Sequence, residues 1–167
     1  MNVDVTPAAL GQTSEDPHRY AAGLAPRGRL IGIDAGTKTL GLALSDVTRT
    51  IASPLETILR TKFTADARRL MHLCTEHDVQ GLVLGLPRNL DGREGPRAQA
   101  TRAMARNFNK LTLLPILLWD ERLTTALAER MLIDADQSRK RRGEVIDKLA
   151  ATLILQSALD RFGQDRE

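Results

Sequence analysis

The chain has 167 residues, 42% of them hydrophobic and 27% charged, which suits one globular domain with a proper core. Aromatics at 3% exclude a nucleic-acid platform built on rows of stacked rings, and no apolar run approaches the roughly 18 residues that span a bilayer. A net charge of +3 and a pI of about 9.4 fit an anionic partner, and the distribution of charge says where that partner would lie.

The first 28 residues mix Gly, Pro, Ala, Thr and charges without strand or helix period, so they read as a flexible extension. They lack the basic, apolar and small-residue order of a signal peptide. The single cysteine, Cys74, fits a reducing, cytoplasmic setting, and its spacing from Ala67, Leu70 and Met71 puts it on a core-facing helical stripe. One domain is expected over residues 29–163, followed by a short tail, 164–167.

Regular pattern begins at Leu30. Residues 30–34 and 40–45 read as two strands joined by the turn Ala35-Gly36-Thr37-Lys38, hence an antiparallel hairpin. A third strand is expected over 49–53, ended by Pro54. Thr64 is a good N-cap for a helix to about Asp78, with Asp66 in its first turn. Residues 81–86 form a buried strand, and a Gly- and charge-rich loop, 88–95, follows it. Pro96 opens a helix with Ala100, Ala103, Met104, Phe108 and Leu111 on one face. Residues 115–119 are the last strand, Thr124 or Thr125 caps a helix to about Asp134, and a final helix spans about 144–162. Three antiparallel-capable strands followed by alternating helices and strands define an α/β class: a mixed five-stranded sheet with helices on both faces.

Asp34 ends one apolar strand, Asp120 and Glu121 end another, and Asp147 sits beside the small-residue stripe of the final helix. Chemistry in open α/β sheets collects at the carboxyl ends of strands. Three carboxylates meeting there need cations, and hard oxygens of this kind suit Mg²⁺ or Mn²⁺. Two such ions support in-line phosphodiester displacement without a histidine base. Strand alternation sends Asp120 and Glu121 to opposite faces, so only one joins the site, and spacing alone does not choose between them.

Basic residues gather in two places. Residues 88–110 hold six bases against two acids, and residues 139–142 are Arg139, Lys140, Arg141 and Arg142. Arg88, Asn89 and Arg97 flank the loop at a strand's carboxyl end, and the 139–142 run leads into the helix bearing Asp147. With Lys38 in the hairpin turn, these residues are candidates for contact with a nucleic-acid backbone, fixing position and not sequence. His72 and Glu76 are four apart on a helix, where a solvated face is the ordinary explanation.

The run Ile33-Asp34-Ala35-Gly36-Thr37-Lys38-Thr39-Leu40-Gly41-Leu42-Ala43 resembles the opening motif of the YqgF (RuvX) proteins. Three further blocks match in order: Val83-Leu84-Gly85-Leu86-Pro87 with Asp91-Gly92; Asp120-Glu121-Arg122-Leu123-Thr124-Thr125; and Val145-Ile146-Asp147-Lys148-Leu149-Ala150-Ala151, running to Leu155-Gln156. That family is described as Holliday-junction-resolvase-like and as nucleases of the 5′ end of precursor 16S ribosomal RNA. The resemblance implies an RNase H-like fold, with Asp34, Glu121 and Asp147 as catalytic metal ligands. It thereby selects Glu121 over Asp120. Ala35 stands where the family commonly has an aromatic, and Thr39 where a basic residue is frequent. The substrate expected is RNA, with branched DNA as the alternative, and a junction resolvase would act as a homodimer. Two other readings compete: a non-catalytic nucleic-acid-binding module, and an ATP-binding protein of the actin and Hsp70 class, whose phosphate hairpin is similar. One domain of this length leaves no second lobe to close over a nucleotide.

Overall fold

A computed structural model describes residues 11–124 and 139–164, with the side chains of the last stretch described from residue 149. The described strands form one sheet, in spatial order β1-β6-β5-β2-β3-β4. Strands β2 (Arg29–Ala35), β3 (Thr39–Ser45) and β4 (Ala52–Leu59) make the antiparallel meander. Strands β5 (Val79–Leu86) and β6 (Ile116–Asp120) continue it in parallel on the other side of β2. Helix α2 (Phe63–Glu76) makes the crossover from the meander to β5, and α3 (Pro96–Asn109) that from β5 to β6.

Period-2 alternation sorts the strand residues onto two faces. Ile31, Ile33, Leu40, Leu42, Leu82 and Leu84 face α2 and α3, where Leu70, Cys74, Met104 and Phe108 complete one core. Leu30, Ala43, Val83, Leu117 and Trp119 face the long helix α4 (Arg139–Gln164), whose Ala151, Ile154, Leu155 and Ala158 complete the other. Gly32 lies on this second face, and a Cβ there would stand 2.7 Å from Leu155 Cβ and 2.9 Å from the Ala151 carbonyl oxygen. Helix and sheet are that close because glycine occupies the crossing point.

The direction of α4 follows from its contacts. Ile154 reaches Gly85, near the carboxyl end of β5. Phe162 packs on Tyr20 at a ring separation of 5.9 Å, and Tyr20 lies against Gly81 near that strand's start. The helix therefore runs antiparallel to β5, and its earlier turns lie toward the carboxyl ends of β2 and β5.

Several expectations change. The sheet has six strands and not five, because the segment expected to be a flexible extension takes part in the fold from residue 11. Thr13–Ser14 form β1, paired in parallel with β6. Pro17–Ala22 form α1, whose N-cap is Asp16 with Pro17 in the first turn. That short helix is held by Tyr20, which is fully buried between the sheet and α4. The third strand starts later than expected and runs through Pro54. Residues 49–51 instead belong to a turn, with the Asp46 carboxylate accepting from the Thr50 and Ile51 amides at 2.8 and 3.0 Å. Pro54 is tolerated because β4 is an edge strand with a register shift at that point. Helix α2 starts at Phe63, and Asp66 accepts from the Thr61 amide and hydroxyl in place of a Thr64 cap. Helix α4 begins at Arg139, so the basic run forms its first turn and does not precede it. The helix expected over 125–134 lies outside the described residues.

Candidate active site

Two of the three acids expected to act together meet at the carboxyl end of the sheet. Asp34 follows Leu30 and Gly32 on the α4-facing side of β2. Glu121 opens a 3₁₀ turn (Glu121–Leu123) directly after β6. Trp119 faces α4, so alternation sends Asp120 away from that face and brings Glu121 back to it. Between β6 and β2 lies β5, and Glu121 crosses it over Gly85, where a Cβ would stand 2.5 Å from Glu121 Oε1. Any side chain at residue 85 would occupy the space the carboxyl group uses. The glycine was legible as part of a family motif, but its reason is this passage.

Glu121 and Asp34 are hydrogen-bonded carboxyl groups. Burial, and then the neighbouring Asp34 charge, push the Glu121 carboxyl up to about 7, against the opposing pull of Arg97. Two carboxylates this close are compatible only if they share a proton or a cation neutralises them. Asp147 occupies α4 one turn before Ala151, toward the same end of the sheet. Its side chain lies outside the described residues, as do those of Arg139, Lys140, Arg141 and Arg142. Among the described residues, no group of three or more His, Cys, Asp or Glu side chains is placed to hold a metal ion.

Asp120 has a different environment. Its carboxylate accepts from the Arg122 amide at 3.0 Å and from Arg122 Nη2 at 2.6 Å, and Arg88 Nη1 lies 3.6 Å away. The Arg122 guanidinium holds its carboxyl below the usual range. Asp120 is thus already neutralised, whereas Glu121 is not.

Arg88 belongs to the same ionic network. Its Nη2 lies 2.6 Å from Glu15 and 3.5 Å from Glu94, while Arg102 reaches Glu94 at 2.6 Å and Glu15 at 2.9 Å. Glu15, which joins β1 to α1, fastens the N-terminal segment to the loop after β5. Asn89 is exposed, and its backbone closes that loop with bonds to Arg93 and Gly92. On the opposite flank, exposed Arg97 donates from Nη2 to the Ala35 carbonyl at 3.3 Å, and Lys38 is exposed in the β2–β3 turn. Arg60, which sequence reading passed over, donates to the Gly36 carbonyl at 2.6 Å. The other early motif, His72 with Glu76, is an exposed pair 3.9 Å apart on α2 and has no further acid or thiol beside it among the described residues.

A mixed sheet in which an antiparallel meander is continued by parallel strands, with helices on both faces, is an RNase H-like fold. The solved structure of T. thermophilus RuvC in complex with Holliday junction substrate shares this fold, with a TM-score of 0.55 over 81% of this chain and 96% of that one, at 14% identity. Residues 28–161 match the model of the RuvX family, described as Holliday junction resolvase, and the chain belongs to that family. Curated relatives include proteins of Paracoccus denitrificans and Cereibacter sphaeroides, each named "Putative pre-16S rRNA nuclease". The first is 58% identical over 148 residues (89% of this chain, 94% of the relative), and the second 59% identical (89% and 92%).

Proposed function

We propose that the protein is a divalent-metal-dependent nuclease that hydrolyses phosphodiester bonds in RNA, processing the 5′ end of precursor 16S ribosomal RNA in the cytoplasm. The observation that carries this reading is the contact between Asp34, on β2, and Glu121, in the turn directly after β6. The high affinity of Glu121 for a proton marks a place where positive charge is wanted. The names of the curated relatives supply the substrate.

The donor set fits Mg²⁺ or Mn²⁺, since it offers carboxylate oxygens and neither thiolate nor imidazole. Asp34, Glu121 and Asp147 would hold two such ions. When bound, the ions supply a reactive water at neutral pH and neutralise charge on the departing oxygen. The protein's own task is to bring the carboxylates together and to orient the strand. Glu121 would have to release the proton it shares with Asp34 in order to hold an ion. Arg97 lowers the cost of that ionisation, and with Lys38 it faces the incoming backbone. Arg139, Lys140, Arg141 and Arg142, in the first turn of α4, would add positive charge along the bound strand. No helix among the described residues is long and apolar enough to cross a membrane.

A second reading, cleavage of branched DNA by a homodimer, is favoured by the description of the family as a Holliday junction resolvase. Parallel digestion of single-stranded RNA, single-stranded DNA and a four-way junction, with Mg²⁺ or Mn²⁺, separates the two. Asp34→Asn, Glu121→Gln and Asp147→Asn should each abolish cutting while the fold and RNA binding persist. Undiminished metal-dependent cutting by these variants refutes the assignment.

A further inference from the structure

The arginines at the working end of the sheet fall into two sets. On the β6 side, Arg88, Arg102 and Arg122 are each paired with carboxylates of Glu15, Glu94 or Asp120. Three positive and three negative charges cancel there, and a phosphate approaching that flank meets no net attraction. The β3 side is arranged otherwise. Arg60, just beyond β4, and Arg97, in the first turn of α3, come from different elements and donate to the consecutive carbonyls of Gly36 and Ala35. The Arg60 amide also donates to the Lys38 carbonyl at 2.9 Å, fixing this residue to the hairpin turn. Among the described residues, no ion pair involves Lys38, Arg60 or Arg97, and all three are exposed.

Arg60 and Arg97 both line a cavity of about 70 Å³ against the turn, with Gly36, Thr37 and Thr101 and the apolar Ala35, Ala100 and Met104. It has room for a few waters or one phosphate group. Each arginine gives a side-chain hydrogen bond to the turn, and a guanidinium has further N–H donors for a ligand. The turn they hold begins next to Asp34, and Arg97 is near enough to Glu121 to oppose the rise in its proton affinity.

We propose that Arg60 and Arg97 form a phosphate subsite for the substrate backbone, so that the strand crosses the site over the β2–β3 turn and not over the β6 flank. This rests on the nuclease reading and adds Arg60 as a binding residue and a side of approach. Arg60 positions the strand and takes no part in bond breaking.

The test is the salt dependence of binding. A labelled single-stranded RNA is titrated with the full chain in EDTA, where cutting is absent, between 50 and 200 mM salt. Each lost phosphate contact reduces the slope of log K against log salt by about 0.7 for single strands. Arg60→Gln should reduce it by about that amount, Arg60→Gln with Arg97→Gln by about 1.4, and Arg60→Lys hardly at all. Arg102→Gln should leave the slope as it is. An unchanged slope in the double variant, even with a lowered Tm, overturns the subsite and reduces both arginines to braces of the turn. A reduced slope in Arg102→Gln in place of Arg60→Gln puts the strand on the other flank and also overturns it, leaving the nuclease reading intact. Failure of the unaltered protein to bind RNA at any salt removes both.

Discussion

Glu121 and Asp120 are neighbours in sequence with opposite electrostatic fates, and the difference lies in what surrounds each. Asp120 sits in the fork of Arg122, while Glu121 is drawn over Gly85 into contact with Asp34. This has a consequence for the metal-free protein. The folded Glu121 carboxyl keeps its proton up to a pH of about 7, whereas the unfolded one releases it near 4.5. Between those values the folded state binds more protons than the unfolded state, so stability falls as pH rises through that window. In EDTA, melting should therefore occur at lower temperature at pH 8 than at pH 5, and Glu121→Gln should flatten the difference. Added Mg²⁺ should recover the loss at pH 8 for the unaltered chain and not for the variant. An Asp120→Asn change should behave in the opposite sense. It removes a carboxylate that Arg122 stabilises and leaves that guanidinium partly unsatisfied.

The elements carry a different lesson. Period-2 alternation and the Asp-x-Gly turn make the meander, the two parallel strands and the acids at their ends legible from sequence. Alternation alone does not choose between Asp120 and Glu121, because it does not say which face holds the site; the family resemblance selects Glu121, and Trp119 on the α4 face supplies the physical reason. Helix α1 was missed although Asp16-Pro17 is an N-cap signal, since six residues are too few to display a helical stripe. Arg60 gave no signal at all, because its partners are backbone carbonyls of a distant turn. The glycines on the α4 face are where element packing can be tested. Gly32→Ala would drive a Cβ into the Ala151 carbonyl and Leu155, at a cost of about 1–3 kcal/mol, read as a lowered Tm. Gly85→Ala meets Glu121 Oε1 and Ile154 Cδ1, both movable side-chain ends. It should reduce cleavage far more than stability, which initial rates and Tm measured together will separate.

At the scale of the whole molecule, charge and packing divide the two flanks of the site. The β6 flank is a closed ionic network reached by the N-terminal segment through Glu15, and the β3 flank keeps its cations open. The overall excess of positive charge is thus less informative than its placement, since much of the basic content of 88–110 is spent on internal pairing. The N-terminal segment is integral to this arrangement. Tyr20→Ala should cost about 3–5 kcal/mol, since it empties a fully buried site against Phe162. Tyr20→Phe should cost little, because the hydroxyl makes no hydrogen bond among the described residues.

The packing of Tyr20 against Phe162 joins α1 to α4, two elements far apart in sequence. During synthesis, β2, β3 and β5 leave the ribosome long before α4, and until it arrives Leu30, Val83 and Leu117 have no cover on that side. A nascent chain can complete only the layer built with α2 and α3. The second layer, and the anchoring of α1, must wait for α4, which follows all six strands along the chain.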